Sequence, residues 1–438
     1  MGDLPLKRVL KQTNQMVYVQ DINGTPLMPT TRGNRVRHLL KNKEAVVVCA
    51  YPFTIRLTAS KPRQTQEVPL GIDSGTRHIG VSATTCKKVL LSAEGLLRHD
   101  IVDLLSTRRE QRRTRRNRLR HRPARFNNRI KAKKKGWLPP SILNKVAFHA
   151  KLIRHVRRLL PITRIIIEIA PFDIQKILNP DIEGEAYQHG EQENFSNVRE
   201  YVLYRDKYTC QHCKGKSGDK VLNAHHIESR KVGGNAPNNL ITLCETCHDA
   251  YHRGGIKLKV KRGQPLRDAA GMNMMKDRLY DAIKSENLDI SVRYTYGYKT
   301  KYNRVRYGIS KSHASDAQVI SGNYTAEPCD EFIEMRQLRR HNRQIHKFNI
   351  CKGGKLKRNQ SAYCVKGFRL WDVVSYRGGL WLIKGKRTSG MMTITSLTDS
   401  TLKIDGVTCK KFRLVSIANR LRILIYKAPV GGAIHLRN

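Results

Sequence analysis

The chain has 438 residues, and 83 lysines and arginines against 35 acids leave a net charge of +48. A field of that size selects a polyanionic partner, nucleic acid first. No uninterrupted apolar stretch suits a spanning helix and the N-terminus lacks a cleavable apolar leader, so the sequence predicts an intracellular protein with no membrane partner; 39% hydrophobic residues exclude disorder throughout and predict several modest cores.

In chain order, Met16-Val17-Tyr18-Val19-Gln20 and Ala45-Val46-Val47-Val48-Cys49 read as strands, separated by the turn-forming Asn23-Gly24-Thr25-Pro26 and a polar helical segment. This predicts a small α/β unit, which residues 1–15 precede as an extension or as the product of a mis-assigned start codon. Val68 to Gly75 and Ile79 to Ala83 follow as an apolar strand carrying one acid, Asp73, then a small-residue turn and a second strand. An RNase H-like sheet begins in this way. Residues 108–135 contain a single acid, Glu110, and predict a basic helix before Pro123 that leads into a basic loop. The guanidinium forks of Arg108, Arg109, Arg112, Arg113, Arg115, Arg116, Arg118 and Arg120 suit successive phosphates.

Arg164 to Ala170 reads as another strand, with Glu168 inside a run of isoleucines. Burying an unpaired carboxylate is costly, so Glu168 needs a metal ion, an arginine or solvent. Beyond it, Cys210-x-x-Cys213 and Cys244-x-x-Cys247 have the spacing of a closed zinc site, which is structural. His225, His226, Asn239 and His248 are then left for chemistry. His252 lies one helical turn beyond His248 on the same face, and Glu200, on a helix predicted ahead of the first knuckle, is a further candidate. The other six cysteines are scattered and read as ordinary thiols. Lys311 to Ile320 opens a helix with His313 and Asp316 on one face. Asp73, Glu168 and Asp316 together predict a two-cation site at one end of a sheet. From 331, basic segments precede β-like runs at Arg369 to Val374, Gly379 to Ile383, Met392 to Thr395 and Arg422 to Tyr426, which predict a small antiparallel barrel.

The order of these motifs resembles the IscB family of transposon-encoded RNA-guided nucleases, relatives of the type II CRISPR effectors; Pro26-Leu27-Met28-Pro29 is similar to the tetrad that names the family's N-terminal domain. The resemblance implies a multidomain α/β plus α+β fold. Residues 1–62 form the PLMP-type domain. An RNase H-like RuvC core is split into 63–107, 136–195 and 263–330; residues 108–135 form an arginine-rich bridge helix and basic loop. An inserted ββα-metal HNH nuclease occupies 196–262, and 331–438 is a basic linker with a β-rich domain that contacts RNA and the motif flanking the target. The resemblance further implies Mg2+ or Mn2+ at Asp73, Glu168 and Asp316, with His313 handling a proton or orienting water. In the HNH module it implies His226 as general base, His225 and His248 as metal ligands and Asn239 as the residue that orients the loop. The implied partners are a structured guide RNA, held by the bridge arginines, and double-stranded target DNA, whose guide-paired strand HNH cuts and whose displaced strand RuvC cuts. A monomer in a one-to-one ribonucleoprotein of a prokaryotic cytoplasm is expected. The residues also admit a self-sufficient homing or junction-resolving endonuclease and a catalytically silent transposon regulator.

Overall fold

The computed structural model describes residues 16–59, 65–119, 137–169, 197–229, 235–258, 260, 267–339, 347–348, 355–356, 361–397, 401–418 and 421–427. The N-terminal extension and the basic loop with Arg120 lie outside the described residues, as do the side chains of Arg115, Arg116 and Arg118. The chain divides into two compact units, Met1–Pro171 with Gly271–Asn438, and Phe172–Ala270.

The first elements are β1 (Val17–Gln20), β2 (Pro26–Thr30), α1 (Gly33–Lys41), β3 (Ala45–Ala50) and β4 (Phe53–Leu57), with strands ordered β2-β1-β4-β3. Asp21 closes the turn into β2: its carboxylate accepts the N–H groups of Asn23 and Thr25 at 2.9 and 2.8 Å. The meander β5 (Pro69–Asp73), β6 (His78–Thr84) and β7 (Val89–Leu96) follows, then α2 (Ile101–Leu119), α3 (Pro140–Leu159) and β8 (Arg164–Glu168). The basic helix therefore starts at Ile101 rather than 108. Ile101 to Thr107 contain no helix breaker, and the Asp100 carbonyl accepts the N–H of Leu104 at 3.0 Å, so the helix extends back past the arginine run.

The second unit contains α4 (Val198–Arg205), β9 (Leu222–His226), β10 (Leu240–Cys244) and α5 (Glu245–His252), with β9 and β10 antiparallel. After α6 (Arg267–Glu286) come β11 (Ser291–Thr295), α7 (Gly297–Arg306), α8 (His313–Ser321), β12 (Glu331–Gln337) and the short β13 (Lys347–Phe348) and β14 (Lys355–Leu356). The chain ends in β15 (Val373–Tyr376), β16 (Gly379–Lys386), β17 (Met391–Ser396), β18 (Lys403–Thr408), β19 (Arg413–Ser416) and β20 (Leu421–Lys427).

The main core lies on one face of a seven-stranded sheet ordered β11-β8-β5-β6-β7-β12-β20. Leu70, Ile72, Val81 and Ile165 of its strands pack with Leu152 and Ile153 of α3 and Met275 and Leu279 of α6. The C-terminal stretch departs from the expected barrel. Arg369 to Asp372 turn instead of extending: Trp371 takes φ +70°, and the Asp372 carboxylate accepts the N–H groups of Arg369 and Ala418 at 2.8 and 3.0 Å. The five strands β15 to β19 make an antiparallel sheet ordered β18-β17-β16-β15-β19, whose edge strands do not pair with each other, so it is open. β20, expected in the same barrel, pairs with β12 at the edge of the large sheet, and β12 itself runs parallel to β7. Leu421, Ile423 and Ile425 pack there against the main core, which draws 331–337 and 421–427 into the large sheet.

Candidate functional site

Strand alternation builds the first site. Leu70 and Ile72 of β5 and Ile165 and Ile167 of β8 enter the main core, so Gly71, Asp73, Ile166 and Glu168 fall on the opposite face. The two strands run parallel with Ile72 opposite Ile167, and Asp73 and Glu168 thus end neighbouring strands. α8 covers that face because two glycines let it approach: a Cβ on Gly71 would stand 2.0 Å from Ala317 O, and one on Gly80 1.8 Å from His313 O. This approach places His313 Nδ1 2.7 Å from Asp73 Oδ2. Asp316, on the same helix, puts its buried Oδ1 3.0 Å from Arg304 Nε, an ion pair. Glu168 Oε2 accepts from Thr300 Oγ1 at 2.5 Å.

Electrostatics follow from this crowding. Burial pushes the Glu168 carboxyl up to about 7; Thr300 opposes the shift, and the charges of Asp73 and Asp316 add to it. Burial, then Asp73, also raises Asp316, while the hydrogen bond to Asp73 raises His313. A hard cation would relieve the two raised carboxyls, Glu168 and Asp316, and carboxylate oxygens are the donors that Mg2+ or Mn2+ takes. The three carboxylates are not among the groups gathered to within 4.8 Å. Asp73 is instead engaged by His313.

The tighter gathering at this face is His78, Glu94 and His313. His78 Nδ1 lies 2.5 Å from Glu94 Oε1, and the His78 ring stacks on His313 at 5.2 Å between centroids. Sequence reasoning missed this pair. The signal was present, since Glu94 is a lone acid within Leu90-Leu91-Ser92-Ala93-Glu94-Gly95-Leu96-Leu97, as Glu168 is within its own apolar strand. Thr300 and Arg304 were missed too, because nothing local links a helix residue to a carboxylate far away in the chain.

In the second unit, Cys210, Cys213, Cys244 and Cys247 each offer a sulfur within 4.8 Å of the others, and Cys213 Sγ stands 3.8 Å from Cys244 Sγ. That is about the edge of a tetrahedron with Zn–S bonds of ~2.3 Å, so the four cysteines fit zinc. Burial raises the Cys244 and Cys247 thiols, whereas hydrogen bonding with Ser217 holds Cys213 down to about 5. Cys49, Cys86, Cys329, Cys364 and Cys409 are free thiols outside this cluster.

The hairpin β9–β10 runs directly into α5, with Cys244 at the helix N-cap. This turn from strand to helix brings His225 to His248 and His252, one ring nitrogen of each within 4.8 Å of the others. His225 is 6% exposed, and its Nε2 has no hydrogen-bond partner. Burial, then the neighbouring imidazoles, pushes it down to about 4, so it is neutral near pH 7. An orphaned neutral imidazole nitrogen beside two more imidazoles fits a divalent ion. His226, next along β9, alternates away from His225 and puts Nε2 3.1 Å from Asn235 Oδ1. Asn239, fully buried, clamps the loop after β9: Oδ1 accepts the Glu228 N–H at 2.9 Å and Nδ2 donates to Glu228 O at 3.0 Å. Glu200 is exposed on α4 and is not part of the histidine group; its N–H donates to the capping Asn197 Oδ1 at 3.0 Å. Arg108, Arg109, Arg112 and Arg113 lie along α2, and no described helix is long and apolar enough to cross a membrane.

Residues 17–190 match the family described as RRXRR protein, and residues 210–254 match HNH endonuclease. Over 66 residues, 15% of this chain and 84% of the relative, the sequence is 34% identical to "Anaredoxin" of Nostoc sp.. Among solved structures, Streptococcus thermophilus Cas9 in complex with the AGGA PAM is similar at a TM-score of 0.33 and 13% identity, over 48% of this chain and 30% of that one. The Type II-C Cas9 enzyme from Actinomyces naeslundii is similar at a TM-score of 0.17 and 15% identity, over 44% and 29% of the two chains. This chain therefore spans less than a third of the length of those proteins. The chain thus carries a segment that matches RRXRR protein and a segment that matches HNH endonuclease, and over that 66-residue segment it belongs to the same family as the Nostoc protein.

Proposed function

We propose that the chain is an RNA-guided DNA endonuclease of the IscB kind with two independent cutting sites. The observation that carries this reading is the gathering of His225, His248 and His252 beside a four-cysteine cluster, in the segment that matches HNH endonucleases. When bound there, Mg2+ or Mn2+ supplies positive charge for the phosphate and the leaving oxygen. His226 is the general base of the guide-paired strand: with Nε2 turned to Asn235, Nδ1 is the atom that takes the proton from the attacking water. Asn239 holds the loop that carries these groups through both of its bonds to Glu228.

The second cut falls to a RuvC-like core made of 63–107, 136–195 and 263–330. Asp73, Glu168 and Asp316 hold its cations, and His313, oriented by Asp73, handles a proton during attack on the displaced strand. Residues 108–135 bind the guide RNA through the arginines on and after α2. Residues 1–62 and the C-terminal β-rich region complete the ribonucleoprotein. A chain this basic is suited to contacts with the nucleic-acid backbone, so the protein reads backbone while base pairing reads sequence.

The test is to purify the protein with its native flanking locus and sequence the RNA it holds. One discrete species, with a structured constant part and a variable end, is expected, and its digestion should abolish cleavage. Specific cleavage that survives RNase would replace guidance by a self-sufficient endonuclease.

A further inference from the structure

Between Asp289 and Asp316 the sequence contains no acid, but it is rich in tyrosine (Tyr294, Tyr296, Tyr298, Tyr302 and Tyr307) and in cations from Arg293 to Lys311. The structure sorts them by face. Thr300 and Arg304, one helical turn apart on α7, reach Glu168 and Asp316, and Gly297 lies so close to Glu168 that a Cβ there would stand 3.0 Å from Oε1. The other face of α7 carries Tyr298, Tyr302 and Val305, at the i, i+4, i+7 spacing of one stripe, 67%, 64% and 65% exposed. The aromatic surface continues onto β11. Tyr296 stacks on Tyr298 at 6.0 Å with planes 12° apart, and Tyr294, itself exposed, meets Tyr296 at 5.7 Å. Lys299 Nζ stands 6.0 Å from the centre of the Tyr298 ring, and Lys301 and Arg306 are exposed along the stripe.

Exposed aromatic rings interspersed with cations are what a single polynucleotide strand requires: the cations track the backbone, and the rings stack on unpaired bases. A duplex hides its base faces, and a second copy of a chain with a charge of +48 would be repelled. We infer that the Tyr294–Tyr302 surface of β11 and α7 is a stacking platform for single-stranded DNA, which feeds that strand to the carboxylates on the inner side of the same helix. The choice of DNA rests on the proposed function, since those carboxylates are the ones assigned to cutting the displaced strand.

The experiment measures binding of the full ribonucleoprotein to fluorescein-labelled oligothymidylate in EDTA, where no cleavage occurs, beside a duplex of equal length. Tyr298→Ala with Tyr302→Ala is expected to weaken single-strand binding about tenfold or more, with the salt slope and the duplex affinity unchanged. Tyr298→Phe with Tyr302→Phe, which keeps both rings, should bind as the unsubstituted protein does. Unchanged single-strand affinity in the alanine variant, an equal loss on duplex, an equal loss in the phenylalanine variant, or a larger loss on oligouridylate RNA would each overturn the platform. Asp73→Ala, assayed in parallel, separates the two readings. It should lose displaced-strand cutting with Mg2+ and keep single-strand binding in EDTA; persistent cutting would sink the carboxylate assignment whatever the tyrosine variants do.

Discussion

At Glu168, burial and two neighbouring carboxylates push the acid up to about 7, so below that pH a cation must displace a proton to bind. The sign follows directly: ion affinity is at its full value above about 7 and falls as the carboxyl protonates. Mn2+ binding to the first site, followed by EPR, should weaken about tenfold for each pH unit below 7. In Glu168→Gln the binding should be weak at every pH. A flat profile in the unsubstituted protein would remove Glu168 from the ligand set. Asn239 offers a second residue-scale test. It is fully buried, and it bonds the Glu228 backbone through its Oδ1 and its Nδ2, so Asn239→Ala strands a backbone N–H and a carbonyl at about 1–3 kcal/mol each. Cleavage of the guide-paired strand should fall with that loss while displaced-strand cutting persists. Equal loss of both cuts would place the role of Asn239 elsewhere.

At the scale of elements, one close approach decides whether the first site exists. Gly80 and Gly71 let α8 lie on the sheet, and that approach brings His313 to Asp73. Gly80→Ala forces its Cβ onto His313 O, which should cost about 1–3 kcal/mol of stability, seen in thermal melting, and lower displaced-strand cutting by more than the destabilisation explains. A variant with unchanged melting and cutting would show that α8 tolerates displacement. The arginine helix makes a separate prediction: Arg112→Ala with Arg113→Ala should reduce the slope of RNA affinity against salt by about one for each phosphate left without its guanidinium. An unchanged slope would move the RNA-binding surface off α2.

Much of this was legible in the sequence for a physical reason. Asp73 and Glu168 announce themselves as single acids in apolar strands, and the cysteine knuckles have a spacing that few folds use without a metal. The turn at Asn23-Gly24 and the start of α8 at Ser312, whose hydroxyl accepts the Ser315 N–H at 3.0 Å, are local chemistry. What stayed hidden depends on distant partners. The sequence of β20 reads as a strand but does not say that its neighbour is β12 rather than β19. Glu94 carries the same signal as Glu168, yet its meaning needs His78, which only strand pairing brings to it. Trp371 ends an apparent strand because Asp372 holds the N–H groups of Arg369 and the distant Ala418, which no local pattern reveals.

For the whole molecule, a net charge of +48 predicts that binding to any nucleic acid is strong at low salt, so only salt-resistant binding reports specific contacts. The four-cysteine cluster ties the stability of the second unit to zinc. Stripping zinc with a strong chelator should expose Phe172–Ala270 to proteolysis and abolish cutting of the guide-paired strand, while the first unit, with its own core, resists digestion. Resistance of both units after zinc loss would make the cluster dispensable. The most direct measurement follows cleavage of a guide-matched duplex, labelled on each strand in turn, by the purified ribonucleoprotein in Mg2+. The unsubstituted protein should cut both strands, Asp73→Ala only the guide-paired strand and His226→Ala only the displaced strand. Loss of both cuts in either variant, with target binding retained, would contradict two independent sites in one RNA-guided nuclease.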